Sequence, residues 1–289
     1  MIGTCFCTIA FQKNKWGRDR TVERPLREIV PIVAAAGYDA IEIWGPHLEA
    51  LSEADLGRAE RLLSESGLRV AMVSPYLDFT TSPETASQSL DLGRRTLALA
   101  RRMGGRAVRC FTGRVGSAEA AADQWRRAVE SLRALADEGP DLYWALETHS
   151  RNLMDTIEAS ERLVGEVGRA NVRLIFQPAT FGAAYLEAAR RLAGLACHVH
   201  ASNSREPGPG QAACRTDLAS GDMDWRAILG VLAAPGAAFD GCVSVEWMGE
   251  EPEAAARREA PYLAGLLRDL GVLPGRGADR GPGRARRRL

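Results

Sequence analysis

Residues Ala122–His149 read ADQWRRAVESLRALADEGPDLYWALETH. Trp125, Val129, Leu132 and Ala136 fall at i, i+4, i+7 and i+11, which is one face of a helix. Gly139 closes that helix, and the apolar run Leu142–Thr148 follows as a strand. A strand that is apolar on both faces belongs to a parallel sheet covered by helices.

The same alternation extends in both directions. Strands are predicted over Ile2–Thr8, Ala40–Trp44, Arg69–Ser74, Ala107–Phe111, Leu142–Thr148, Val172–Gln177, Ala196–Ala201 and Cys242–Glu246. Gly37, Gly67 and Gly104 close helices just ahead of the next strand. Ser82-Pro83-Glu84 opens a helix with an N-cap and a proline at the first helical position. Gly221-Asp222-Met223-Asp224-Trp225 reads as the N-cap of another. Eight strand-plus-helix units are the number that closes an α/β (β/α)8 TIM barrel. A doubly wound open sheet is the alternative, because closure is not visible in a sequence. Residues 1–273 form the expected single barrel domain. Ser202–Ser220, polar and rich in Gly and Pro, is expected to be a long structureless loop of functional interest. Pro274–Leu289, a Gly/Pro/Arg tail, is expected to be disordered.

Composition narrows the chemistry. The chain has 289 residues, with 37 basic against 37 acidic side chains, which argues against broad nucleic-acid binding. No apolar run approaches the roughly 20 residues that span a bilayer, so no membrane partner is expected. The opening MIGTCFCTIAFQKNK lacks a basic leader, and a cytoplasmic location is expected. Lys13 and Lys15 are the only lysines and lie in a polar stretch with Gln12, Asn14 and Arg18, which argues against Schiff-base chemistry. Six cysteines include no C-x-x-C pair, and five sit in apolar runs as small hydrophobes. Gly208-Pro209-Gly210-Gln211-Ala212-Ala213 matches G-x-G-x-x-A only superficially, since no strand leads directly into it.

In a parallel barrel, chemistry collects at the carboxyl ends of the strands. Polar residues interrupt the apolar runs there: Glu42, Arg109, Glu147 with His149, Gln177, His198 with His200, and Glu246. Residues two apart share a strand face, so Glu147 pairs with His149 and His198 with His200. Taken singly, each has a structural explanation: a strand-end Glu as an ion-pair partner, or one His of H-x-H packed. Taken together, carboxylates, an imidazole and an amide oxygen suit Mn²⁺, Mg²⁺, Co²⁺ or Zn²⁺.

These segments resemble the xylose isomerase-like barrels of the sugar phosphate isomerase/epimerase family. The carrying stretches are AAGYDAIEIW at 35–44, ALETH at 145–149, HVHASN at 198–203, GDMDW at 221–225 and VSVEW at 243–247. The resemblance implies a divalent ion held by Glu147, Gln177, His200 and Glu246. It implies Glu147, Glu246 and His149 as acid/base groups, and Glu42 and Arg205 as substrate contacts; Arg109 and His198, polar residues within barrel strands, are further expected substrate contacts. The departures are Gln177, where the family has an aspartate, and Thr180, where epimerases often carry a histidine. The implied function is a metal-dependent isomerase or epimerase of a sugar, keto-sugar or cyclitol acting through an enediolate. A lyase or dehydratase of a keto-sugar or inosose is the alternative, and a catalytically inactive carbohydrate-binding barrel the second. A homodimer is kept as a possible assembly. DNA-repair endonucleases share the fold but use a histidine-rich multi-zinc site, which four histidines do not supply.

Overall fold

A computed structural model describes residues 2–13, 20–206, 214–247, 249 and 251–273. Eight parallel strands close a barrel: β1 Gly3–Cys7, β2 Ala40–Trp44, β3 Arg69–Ser74, β4 Ala107–Cys110, β5 Tyr143–Glu147, β6 Val172–Phe176, β7 Ala196–Ala201 and β10 Cys242–Val245. Around the barrel their order is β1-β10-β7-β6-β5-β4-β3-β2, so β1 pairs with both β2 and β10. Closure removes the open-sheet alternative. All eight predicted strands are present, with ends within two residues of those expected.

Helices cover the outside. They include α1 Leu26–Ala36, α2 Pro46–Glu49, α3 Glu53–Ser66, α4 Pro83–Arg102, α5 Ala122–Glu138, α6 Ile157–Val167, α7 Tyr185–Leu192, α8 Trp225–Leu232 and α9 Pro252–Asp269. The predicted face of α5 is the buried one: Trp125, Val129, Leu132 and Ala136 all pack inward. Ser82 caps α4 by accepting from the Thr85 amide, with Pro83 at its first position. Asp224 caps α8 by accepting from the Ala227 amide. Gly37 and Gly67 end α1 and α3 with φ of 90° and 71°, a left-handed conformation in which a Cβ would be strained. Gly139 ends α5 differently, at φ −125°.

Two layers of side chains fill the structure. Between barrel and helices lies the main apolar core, built on Phe6, Ile41, Val108, Trp144, Leu174 and Val243. A second, separate cluster is built mostly of small residues, among them Cys5, Ala40, Ala107, Ala145, Cys197 and Cys242, with Met72 and Ile175 beside them. Five of the six cysteines are buried and Cys214 is exposed, consistent with packing.

The stretch Ser202–Ser220 corrects one expectation. It is not wholly structureless: β8 Asn203–Arg205 and β9 Cys214–Thr216 pair as an antiparallel ribbon, and Asn203 donates from its amide to the Leu218 and Met223 carbonyls. A polar ribbon needs no apolar face to form when backbone pairing and one buried amide hold it, so hydrophobic alternation could not reveal it. Lys15, Arg18, the G-x-G-x-x-A match at 208–213 and the tail from Pro274 lie outside the described residues. No helix among the described residues is long and apolar enough to cross a membrane.

Candidate active site

The strand-end polar residues meet at the carboxyl mouth of the barrel. Glu147 ends β5, His200 lies on β7, Gln177 follows β6 and Glu246 follows β10. Ligand-capable atoms of Glu147, His200 and Glu246 lie within 4.8 Å of one another. His200 Nδ1 is 3.5 Å from Glu147 Oε1 and 3.8 Å from Glu246 Oε2. One terminal atom of the Gln177 amide sits among them, 3.3 Å from His200 Nδ1 and 3.2 Å from each of the two carboxylates. With nitrogen at that position the amide donates to both carboxylates; with oxygen there it becomes a fourth donor aimed at the same centre.

This donor set fits a divalent cation. Two carboxylates, an imidazole nitrogen and an amide are hard-to-borderline ligands. The charge state agrees. Burial and the neighbouring Glu147 and Glu42 push the Glu246 carboxyl above its ordinary value, against the pull of His200. That is the behaviour of a buried negative charge short of a positive partner. Glu147 is better compensated: burial opposes its ionisation, but His200 and Arg109 hold its pKa below the usual value. Because Gln177 adds no charge, Gln177→Asp is expected to tighten metal binding by at least about tenfold. Calorimetric metal titration showing equal or weaker affinity would rule Gln177 out as a ligand.

Beneath this cluster lies a second, fully buried set. Glu42, on β2 across the barrel, is 3.1 Å from His200 Nε2 and 3.2 Å from His198 Nε2, and it accepts from Ser74 Oγ at 2.8 Å. Burial opposes ionisation of Glu42, yet His200 and His198 pull its pKa well below the ordinary value. Burial likewise works against a charge on His200, but Glu42, Glu246 and Glu147 raise its pKa well above the usual one. Glu42 therefore accepts the Nε2 proton of His200 and leaves Nδ1 facing the upper cluster. A carboxylate behind a ligand imidazole fixes its tautomer and orientation. Glu42→Gln is expected to lower metal affinity about 10- to 100-fold with the fold intact. Unchanged affinity in a metal titration would refute this positioning role.

The expectation that Glu42 and His198 touch substrate does not match their placement. Glu42 is 0 % exposed and His198 3 % exposed, and neither lines the cavity above the cluster. His198 Nε2 meets Glu42 Oε2 at 3.2 Å, and the Glu42 oxygens are further engaged by His200 and Ser74. Arg205 departs in the same way: its Nε donates to the Ser220 carbonyl, away from the cavity. Arg109 and His149 do line it. Arg109 donates to Glu147 Oε2 and to the Pro75 carbonyl, both at 3.2 Å. Its guanidinium lies against the rings of Tyr76 and Phe111, 4.9 and 4.6 Å from their centroids. His149 Nδ1 is 2.7 Å from the Ser150 carbonyl, which can only accept. Nδ1 therefore carries the proton, and in the neutral ring Nε2 holds the lone pair.

The cavity measures about 360 Å³. Tyr76, Phe111 and Arg215 line it and were not singled out in the sequence. A larger cavity of about 1220 Å³ opens at the amino-terminal end, near Arg69, Arg106, Cys197 and Cys242. Size does not select it, because the converged carboxylates and imidazole are at the other end.

Comparison with known proteins agrees with this fold. Residues 30–266 match the family model for the xylose isomerase-like TIM barrel. The 3-dehydroshikimate dehydratase of Bacillus anthracis is 27% identical over 173 residues, 58% of this chain and 59% of that protein. The aligned stretch thus spans less than two thirds of this curated relative. In fold the chain resembles the crystal structure of a probable 3-DHS dehydratase from Bacillus anthracis, with TM-score 0.76 and 22% identity over 91% of this chain and 98% of that one. It also resembles an L-ribulose 3-epimerase structure, with TM-score 0.76 and 19% identity over 98% and 100% of the two chains. The closed eight-stranded barrel, the acid and imidazole cluster at its carboxyl mouth and the family match together identify the chain as a member of the xylose isomerase-like TIM barrel family.

Proposed function

We propose that this protein is a divalent-metal-dependent enzyme that removes a proton from the carbon beside a ketone in a keto-sugar or cyclitol. The observation that carries the reading is the convergence of Glu147, Gln177, His200 and Glu246 on one centre at the floor of a 360 Å³ cavity. When bound, the ion supplies Lewis-acid stabilisation of negative charge developing on the substrate oxygen. His149 Nε2 and the Glu246 carboxylate are the groups placed to take up the proton. Glu147 is the poorer base, because Arg109 holds it anionic. Ser202 and Ser204 line the wall and can orient hydroxyls.

Proton removal beside the ketone can lead to isomerisation, to epimerisation or to loss of water from the neighbouring carbon, and the dehydratase among the relatives supports the last. The test incubates metal-loaded protein with a panel of keto-sugars and inososes in D₂O. Metal-dependent deuterium uptake or water loss is expected. Redox or hydrolytic products without exchange would overturn the mechanism, and binding without exchange or elimination would make the protein a binding barrel.

A further inference from the structure

We propose that the substrate carries an anionic group, a carboxylate or a phosphate, and that Arg215 binds it. The inference rests on the function proposed above and names its substrate class. It begins with the ribbon. Antiparallel partners share a face, and Ser204 lies opposite Arg215 while Arg205 lies opposite Cys214. Ser204 and Arg215 both line the cavity; Arg205, one residue on, turns out to the Ser220 carbonyl. The ribbon therefore delivers to the cavity an arginine ten residues later in the chain than Arg205.

Among the described residues Arg215 pairs with no acidic side chain, and it lies exposed at the cavity wall. The second guanidinium, Arg109, is held by Glu147 and Pro75, yet its buried Nε has no partner. Counting the charged residues that line the cavity, two carboxylates, Glu147 and Glu246, face two guanidiniums, Arg109 and Arg215. A divalent ion added to that balance leaves the lining with two positive charges in excess, of which the buried Glu42 carboxylate beneath it offsets one. An aspartate at position 177 would cancel the other; Gln177 does not. An anionic substrate, with further negative charge developing on its ketone oxygen, neutralises the excess, whereas a neutral sugar leaves it in place.

Guanidinium recognition of an oxyanion is charge-assisted and bidentate, so its loss is measurable in binding alone. The test titrates metal-loaded protein calorimetrically with 3-dehydroshikimate and its methyl ester, and with D-fructose 6-phosphate and D-fructose. One acid is expected to bind at least about tenfold tighter than its neutral counterpart, with affinity falling as salt rises. Which pair discriminates tells carboxylate from phosphate. Arg215→Gln should lose about 10- to 100-fold on that anion and nothing on the neutral ligand, with metal content and melting temperature unchanged. Arg215→Lys should recover part of the loss. Equal affinity for charged and neutral probes, equal losses on both in Arg215→Gln, or no saturable binding of either anion would overturn the inference. Deuterium exchange keeps the two readings separate. Exchange without charge preference leaves the enzyme standing and removes the anion, and anion binding without exchange does the reverse.

Discussion

Glu246→Ala is expected to abolish both metal retention and carbon-acid exchange. Glu246 offers one of three closely converged ligand-capable atoms, and its removal leaves Glu147 as the one carboxylate of that group. Loss of affinity should exceed the roughly 10- to 100-fold typical of changes behind the ligands. Elemental analysis after dialysis and the D₂O assay read the two effects. The metal-free proteins supply the control. Burial and Glu147 push the Glu246 carboxyl up, so its charge at neutral pH weighs against the folded state. The metal-free variant should therefore melt no lower than metal-free wild type. A variant that keeps its metal would remove Glu246 from the ligand set, and one that melts well below wild type without metal would assign Glu246 to the fold.

His149→Ala should separate chemistry from metal binding. His149 lines the cavity, its ring meets Phe111 edge-on at 5.5 Å, and its Nδ1 proton is committed to the Ser150 carbonyl. Nε2 is thus available as a base on a ring held in place from two sides. Its removal should lower kcat by about 10²- to 10⁴-fold, the ordinary contribution of a general base. Metal content and KM should stay near wild type, the pattern of an interaction made in the transition state alone. Imidazole added to the variant should restore part of the rate. An unchanged kcat would leave proton removal to Glu246, and loss of metal would show that His149 shapes the ligand cluster.

Much of the architecture was legible before folding. Strand and helix periods alternate cleanly here because each barrel strand is buried on both faces and each helix on one, so burial writes itself into the residue pattern. The strand-end positions of Glu147, His200 and Glu246 were legible for a related reason: a charged or imidazole side chain closing an apolar strand stands out against its neighbours. The sequence by itself thus determined the number and type of the repeating units and the chain positions of the ligand candidates.

Tertiary structure alone decided closure, depth and direction. Glu42 and His198 stand at strand ends as the ligands do, but Glu42 lies 156 residues from His198 in the chain, and only the closed barrel brings them to 3.2 Å below the ligand plane. Sequence spacing records which face a side chain takes, not how far along the barrel axis its neighbours stand. The ribbon gives the second instance. Arg205 and Arg215 look alike in the sequence, and the register of β8 on β9 turns one outward and the other into the cavity. Polar strands carry no hydrophobic alternation to announce that register, so the choice between the two arginines is made by backbone pairing.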